Sequence, residues 1–246
     1  MLKRILGCAL LAGVIAGGAS AVLQQWLVIP VLLEAELYES GEAVHFGAAP
    51  ETTGLTEHEP GVAATTSATE TEAHSHLAAG GPNPGRVFTT VIATIGFNVG
   101  LAAFLVALFY LRDARPTIRE GIVWGLYGFA VQVIAPSLGL PPELPGVAAA
   151  DLTTRQIWWV ATIISSGLGI WLIAFGRQAW TTPLAILLLL APHVIGAPHP
   201  DKYAGTAPPE IALLWVGRTI GIAFISWVLL GAVAAAVWSR FNRAAA

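Results

Sequence analysis

Long apolar stretches constrain the fold of this chain more than any other feature. About 20 apolar residues cross the hydrocarbon core of a bilayer, and only 11% of these residues are charged, against about 25% in a soluble domain. Because lipid cannot hydrogen-bond the backbone, we predict an all-α, polytopic integral membrane bundle that forms a single membrane domain over residues 1–246. Its six candidate transmembrane helices are Ile5–Ile29, Val87–Leu111, Gly121–Gly139, Ile157–Phe175, Ala179–Ala197 and Ile211–Trp238.

Two of these segments leave alternatives open. Pro183 and Pro192 bracket the apolar centre of the fifth segment, which could therefore be broken or re-entrant instead of spanning. The first segment has the basic start and small-residue triplet of a cleaved signal peptide. However, its apolar run continues to Ile29 and exceeds the usual length of about 7–15 residues, which favours a retained helix.

The positive charges predict an orientation. Placing both termini in the cytoplasm puts eight of the twelve Lys and Arg residues inside, as the positive-inside rule requires, and thirteen of the fifteen acids outside. Residues 30–86 then form a long acidic outer loop that contains histidines. We expect a polar helix from Leu32 to Glu42, and disorder over 50–85, where bulky apolar side chains are scarce.

Several functional classes are excluded by what the sequence lacks. It has two lysines and no phosphate-binding loop, so we expect no nucleotide partner. A single cysteine, Cys8, excludes a disulfide framework. We find no nucleophile–base pair and no zinc-hydrolase motif, and we therefore predict a non-enzyme without an organic cofactor or a nucleic-acid partner.

All six histidines fall on the outer side or in the outer half of the membrane in this topology. The long loop combines four of them with nine glutamates, a ligand mixture that suits Co²⁺, Ni²⁺ or Zn²⁺ better than Cu(I). We interpret these four as weak, metal-collecting groups. The alternative is an acidic, solvated loop with incidental histidines. The four residues are His45, His58, His74 and His76.

A second pair of histidines lies near the end of the fifth segment. His193 and His199 flank a Pro/Gly break over residues 191–200, and the backbone carbonyls that this break frees could also bind an ion. An ionisable residue at membrane depth suggests a functional site, and broken helices bind ions in transporters. In the alternative interpretation, His193 hydrogen-bonds a neighbouring helix and His199 lies at the membrane interface.

A third stretch follows the third segment. Three prolines within five residues predict a rigid outer cap around Glu143: Pro141, Pro142 and Pro145. Glu143 and Asp151 are candidate metal ligands, and Arg155 could hold one of them in place. Helix capping is the alternative for Asp151. An interfacial aromatic belt explains the remaining pair, Trp158 and Trp159.

Polar and small residues within the spans indicate helix packing. We expect the polar ones to hydrogen-bond between helices, although a conduction path would have to recruit some of them: Gln24, Gln25, Asn98, Gln132, Ser165, Ser166 and Ser226. Glycines four residues apart predict close helix contacts at Gly13 and Gly17 and at Gly121 and Gly125.

Three of these stretches together resemble a known family. Residues 139–146, residues 148–159 and residues 192–198 are similar to the CbtA family of predicted cobalt transporter subunits, and the likeness runs nearly end to end. The resemblance implies Co²⁺ uptake across a prokaryotic inner membrane, often for cobalamin synthesis, with a small single-span, histidine-bearing CbtB protein as partner. The family is usually described with about five spans, whereas this sequence has six apolar segments.

The candidate metal ligands lie within or beside the matching stretches. They are Glu34, Glu36, Glu143, Asp151, His193 and His199. We expect cobalt to be the transported ion, and the chain could also form an oligomer. Nickel or zinc import is an alternative, because the same ligands serve all three metals. A second alternative is that the chain transports nothing and acts as a metal sensor or an assembly subunit.

Overall fold

A computed structural model describes residues 2–43, 83–112 and 114–243 of the chain. His45, His58, His74 and His76 lie outside these residues, as do residues 50–82 of the tract predicted to be disordered. The end of that prediction is wrong, because a helix begins at Pro84. The predicted polar helix is present, but it begins earlier and ends at Glu39.

Helices make up all the regular secondary structure in the described residues, which confirms the all-α prediction for them. A π-helical turn over Ala130–Ile134 joins α4 to α5 without a break. The helices are α1 (Leu2–Leu27), α2 (Ile29–Glu39), α3 (Pro84–Leu111), α4 (Ile118–Phe129), α5 (Ala135–Ser137), α6 (Leu152–Phe175), α7 (Thr181–Ile195) and α8 (Pro209–Arg243).

Four of the described helices are long and apolar enough to cross a membrane: α1, α3, α6 and α8. They correspond to four of the six predicted segments. The third predicted segment is continuously helical from Ile118 to Ser137, but the π-helical turn changes its hydrogen-bond pattern between α4 and α5. The fifth is α7, whose 15 residues extend about 22 Å, less than the roughly 30 Å of a hydrocarbon core.

Glycines bring the helices of the core into close contact. A Cβ atom at Gly13 or Gly17 of α1 would overlap the backbone of α3, and one at Gly121 would overlap the backbone of Gly231 in α8. Gly125 meets α8 at Trp227 in the same way. Both predicted small-residue contacts are therefore confirmed. They let α1 pack on α3, and α4 pack on α8.

The π-helical turn lies directly before Pro136. Proline has no N–H group to donate to the carbonyl four residues earlier, here that of Gln132, and its ring crowds that carbonyl. The helix widens instead, and Ala135 N–H donates to the carbonyl of Ala130, five residues back. The chain thus stays helical while the side chain of Gln132 is directed toward α8, where its Oε1 accepts from Trp227 Nε1 at 3.1 Å.

A layer of short elements covers one end of the bundle, which we call the α2 end. Val31 and Ala35 of α2 pack on Leu144 in the loop after α5 and on Ile211 of α8. That loop also meets the loop before α8, because Ala148 N–H donates to the Ala204 carbonyl at 2.8 Å. The α2 end is therefore an ordered cap that contains the candidate metal ligands of the described residues.

At the opposite end, the α3–α4 connection is tied to α8. Trp238 Nε1 donates to the Ala114 carbonyl at 2.9 Å, and Ser239 Oγ donates to the Pro116 carbonyl at 2.6 Å. The Arg112 guanidinium lies 4.0 Å from the ring centroid of Phe175, at the end of α6. This cation–π contact holds the end of α6 close to α3.

Candidate functional site

The three stretches that carry the family resemblance meet at the α2 end. Arg155 of α6 forms an ion pair with Glu143 in the proline-rich loop. Trp158 Nε1 donates to the Pro192 carbonyl of α7 at 3.1 Å. Gly139 lies against Trp158 and Ala197 so closely that a Cβ atom there would overlap both. Residues far apart in the chain thus form one unit around the start of α6.

Trp158 is the centre of that unit. Its side chain is only 8% exposed, and its ring meets the His193 ring edge-on with centroids 6.1 Å apart. The prediction that it belongs to an interfacial aromatic belt is therefore wrong: the indole is buried and cross-links two helices. Trp159 is 38% exposed, as a belt residue would be.

The two histidines occupy different environments. His193 is half-buried in the last turn of α7, beside Trp158. His199 is exposed in the loop after α7, where its ring lies 6.4 Å from that of Tyr203. Neither imidazole hydrogen-bonds another described residue through its side chain, so the hydrogen bond considered for His193 is not formed there.

Two of the backbone carbonyls near the α7 break, those of Leu188 and Pro192, already have donors. Pro192 has no N–H group, so the Leu188 carbonyl loses its helical donor, and Ser165 Oγ of α6 donates to it instead. The Pro192 carbonyl accepts from Trp158 Nε1 and from Gly196 N–H at 3.1 Å.

The four candidate carboxylates also occupy different environments. Glu143 is paired with Arg155, and Glu36 is paired with Arg86 at the start of α3. Asp151 Oδ1 accepts from Thr154 N–H at 2.9 Å, which makes Asp151 the N-cap of α6. Glu34 is exposed on α2. Pro141, Pro142 and Pro145 bracket Glu143, and only Pro142 is partly buried.

Within the described ranges, no three His, Cys, Asp or Glu side chains are close enough together to hold a metal ion. The candidate ligands therefore share one end of the molecule but do not form a closed coordination shell. Such a layer could attract a divalent cation and bind it loosely, through one or two protein ligands and water. It could not bind the cation as a structural zinc site does.

A polar cleft of about 520 Å³ enters the bundle between α3 and α8, with α1 behind it. Ser226 Oγ donates to Asn98 Oδ1 at 2.8 Å, and Thr94 Oγ1 donates to Gln24 Oε1 at 3.0 Å. The Gln132 side chain of the π-helical turn also lines this cleft. Its main polar side chains are Gln24, Thr94, Asn98, Gln132, Thr219 and Ser226.

Sequence reasoning named several of these residues one at a time but did not combine them into a cleft. The signal was present in α3, where Arg86, Thr90, Thr94 and Asn98 recur every four residues and so share one helix face. The sequence pattern did not predict the π-helical turn, which brings Gln132 to the same cleft.

An apolar cleft of about 580 Å³ adjoins the polar one. It lies between α3 and α6, and its wall includes Phe104, Leu108 and Trp171. Leu101, Gln132 and Trp227 line both clefts, so the two lie next to each other along the same face of α3. We call the combined feature the α3 groove.

Apolar helices of spanning length, polar groups at membrane depth and a charged cap at one end define a multi-pass α-helical membrane protein. The family model described as "Probable cobalt transporter subunit (CbtA)" matches residues 2–239, nearly the whole chain. The chain therefore belongs to the CbtA family, as its sequence motifs predicted. Comparison with curated proteins and with solved structures gives no match.

Proposed function

We propose that this protein imports divalent cobalt across the inner membrane of a prokaryote and thereby supplies cobalamin synthesis. The family description supports cobalt transport in general. The observation that carries the proposal is the meeting of all three motif stretches, with His193 and Glu143, at the α2 end. A cation arriving at that end would meet imidazole and carboxylate groups first.

The proposed topology has six spans and both termini in the cytoplasm. The α4–α5 segment with its π-helical turn and the short α7 would be spans alongside α1, α3, α6 and α8. Its support is the charge distribution: Arg112, Arg115 and Arg119 lie near the α3–α4 connection, and Arg177 lies between α6 and α7. The α2 end then faces outward.

In this proposal the metal ligands are His193 and His199, with Glu143, Asp151, Glu34 and Glu36 as carboxylates near them. Glu143 would exchange its Arg155 partner for the incoming ion, or bind it through its second oxygen. Loose binding suits transport because a conducted ion must also leave its site. His45, His58, His74 and His76 would raise the local metal concentration.

A small single-span CbtB-like subunit would complete the transporter. The family description calls its members subunits, which supports a partner without identifying one. The same nitrogen and oxygen ligands could bind Ni²⁺ or Zn²⁺. An uptake experiment with competing metals is therefore needed to identify the transported ion.

The test is uptake of radiolabelled Co²⁺ by cells that lack their own cobalt importers. The cells express this chain alone or together with the small subunit, with unlabelled Co²⁺, Ni²⁺ and Zn²⁺ as competitors. We expect saturable uptake that Co²⁺ competes best. If the protein is in the membrane and no metal accumulates in either condition, the transporter proposal fails and a sensor or assembly role replaces it.

The ligands are tested by the double variant His193→Ala with Glu143→Gln. It should lose most Co²⁺ uptake at an unchanged protein level, because it removes one imidazole and one negative charge from the cap. Asp201→Asn is the matched control, since Asp201 is an exposed acid in the loop after α7. Normal uptake by the double variant would refute this ligand assignment.

A further inference from the structure

We propose that the α3 groove binds one transmembrane helix of a partner subunit, whose outer half carries hydrogen-bond acceptors and whose inner half is apolar. This inference rests on the partner and the orientation proposed above. It adds the place where the partner binds and the chemistry of the bound helix.

The length of the groove fits a complete membrane span. Along α3 its lining runs from Arg86 to Leu108 on one helix face. These 22 residue steps correspond to about 33 Å of helix, close to the roughly 30 Å of the hydrocarbon core. A helix lying in the groove would therefore contact α3 through the whole membrane.

The polar cleft offers more donors than acceptors. The Oε1 atoms of Gln24 and Gln132 already accept hydrogen bonds, from Thr94 and Trp227, whereas their amide nitrogens donate to no described residue. Acyl chains cannot accept these hydrogen bonds, and unsatisfied polar groups in lipid are costly.

The same excess of donors disfavours a bare cation as the occupant. Arg86, which is paired with Glu36, lines the polar cleft, and the amide N–H groups of Gln24 and Gln132 carry partial positive charge. Carbonyl, carboxylate or neutral imidazole groups on a neighbouring helix would satisfy them. Helix pairs in membranes use such hydrogen bonds for association.

The inner half of the groove has the opposite character. Phe104, Leu108, Ile164 and Trp171 leave an apolar cleft with little polar surface. An occupant with acceptors in its outer half and apolar side chains along its length matches both halves, whereas a lipid chain leaves the donors of the outer half unpaired.

The experiment places a photo-crosslinking amino acid at groove positions of the full chain, co-expressed with a tagged version of the small single-span subunit. Ala93 tests the outer half, and Phe104 tests the inner half. Ile92 is the matched control, because it is 54% exposed on α3 and lies outside the groove. We expect adducts with the tagged subunit at Ala93 and Phe104, at least tenfold above those at Ile92.

Three results would overturn the proposal: equal adducts at all three positions, adducts only with a second copy of this chain, or no adduct with the subunit. Co²⁺ uptake by the same cells is measured in parallel. Uptake without groove adducts refutes the docking site and leaves cobalt transport intact. Groove adducts without uptake support the docking site and refute the transport proposal.

Discussion

Ser165 shows how a single side chain makes the α7 break tolerable within the membrane. Pro192 deprives the Leu188 carbonyl of its helical donor, and Ser165 Oγ of α6 replaces that donor. Trp158 Nε1 of the same helix donates to the Pro192 carbonyl, which also keeps its helical donor, Gly196 N–H. The break is therefore fixed to α6 by two side-chain hydrogen bonds, and this fixes the position of His193.

Removing the Ser165 hydroxyl should destabilise this junction. In Ser165→Ala the Leu188 carbonyl has neither its helical donor nor the serine, which should cost about 1 kcal/mol and lower the melting temperature in detergent. Ser40→Ala is the control, because Ser40 is exposed and bonds only the Leu37 carbonyl of its own helix end. Equal melting temperatures for the two variants would contradict the role given to Ser165.

The sequence predicted which residues are candidate ligands, but it did not predict all of the side chains that they contact. The proline-rich loop and the Pro/Gly break locate Glu143 and His193 by composition alone. The pairing of Glu143 with Arg155 was foreseeable, because Arg155 is the nearest base along the chain. The burial of Trp158 could not be foreseen. An indole at the start of a helix fits the membrane interface as well as a buried site until the position of α7 is known.

At the scale of elements, the contact between α4 and α8 depends on the absence of side chains. Gly121 and Gly125 allow the α4 backbone to lie directly against Gly231 and its neighbours in α8. Close approach of this kind is a main source of helix association in lipid, where no hydrophobic driving force acts.

Gly121→Ala should therefore separate α4 from α8. The added methyl group overlaps the Gly231 carbonyl, and overpacking of this kind costs about 1–3 kcal/mol. We expect a clear fall in melting temperature in detergent. Gly221→Ala in α8 meets no atom within 4 Å and should leave the melting temperature unchanged or slightly raised. A similar fall for both variants would refute the packing explanation.

Apolar length predicted the long helices well, to within a few residues at their ends, because a membrane span needs a minimum run of apolar residues. It predicted the interrupted elements less well. The π-helical turn before Pro136 changes the hydrogen-bond register without changing composition, and α7 is shorter than its apolar run because Gly196, at φ +88, ends it.

At the scale of the whole molecule, the proposed orientation places the α2 end outside the cell. A fluorescent protein fused after Ala246 should fluoresce, and a periplasmic phosphatase fused there should be inactive, because both termini are proposed to be cytoplasmic. A cysteine at exposed Tyr203 should react with a membrane-impermeant reagent added outside, with buried Cys8 as the internal control. The reverse pattern would refute the orientation.

The long loop is expected to be dispensable for transport itself. Deleting residues 55–80 removes His58, His74 and His76 but none of the cap ligands, so Co²⁺ uptake at saturating metal should remain within about twofold of the intact chain. Uptake at low metal should fall more if the histidines collect the ion. Complete loss at saturating metal, with the protein still in the membrane, would show that the loop is required for transport and refute this expectation.

The packing of the helices against one another was the least predictable feature of the molecule. The α3 groove arises from the packing of α1, α3, α6 and α8 and from the register of Gln132, and the sequence pattern specifies neither. Only the four-residue repeat of polar groups in α3 indicated that one face of this helix is not lipid-facing.

In the proposed six-span topology, the brevity of α7 would affect the lipid around the protein. A helix of about 22 Å that crosses a core of about 30 Å leaves a hydrophobic mismatch of roughly 8 Å. Val194 and Ile195, 82% and 80% exposed at its end, would then lie below the headgroups unless the leaflet dips to meet them. The bilayer beside the α6–α7 pair should thus be locally thinned, and short-chain lipids should collect at the edge of the protein that carries His193.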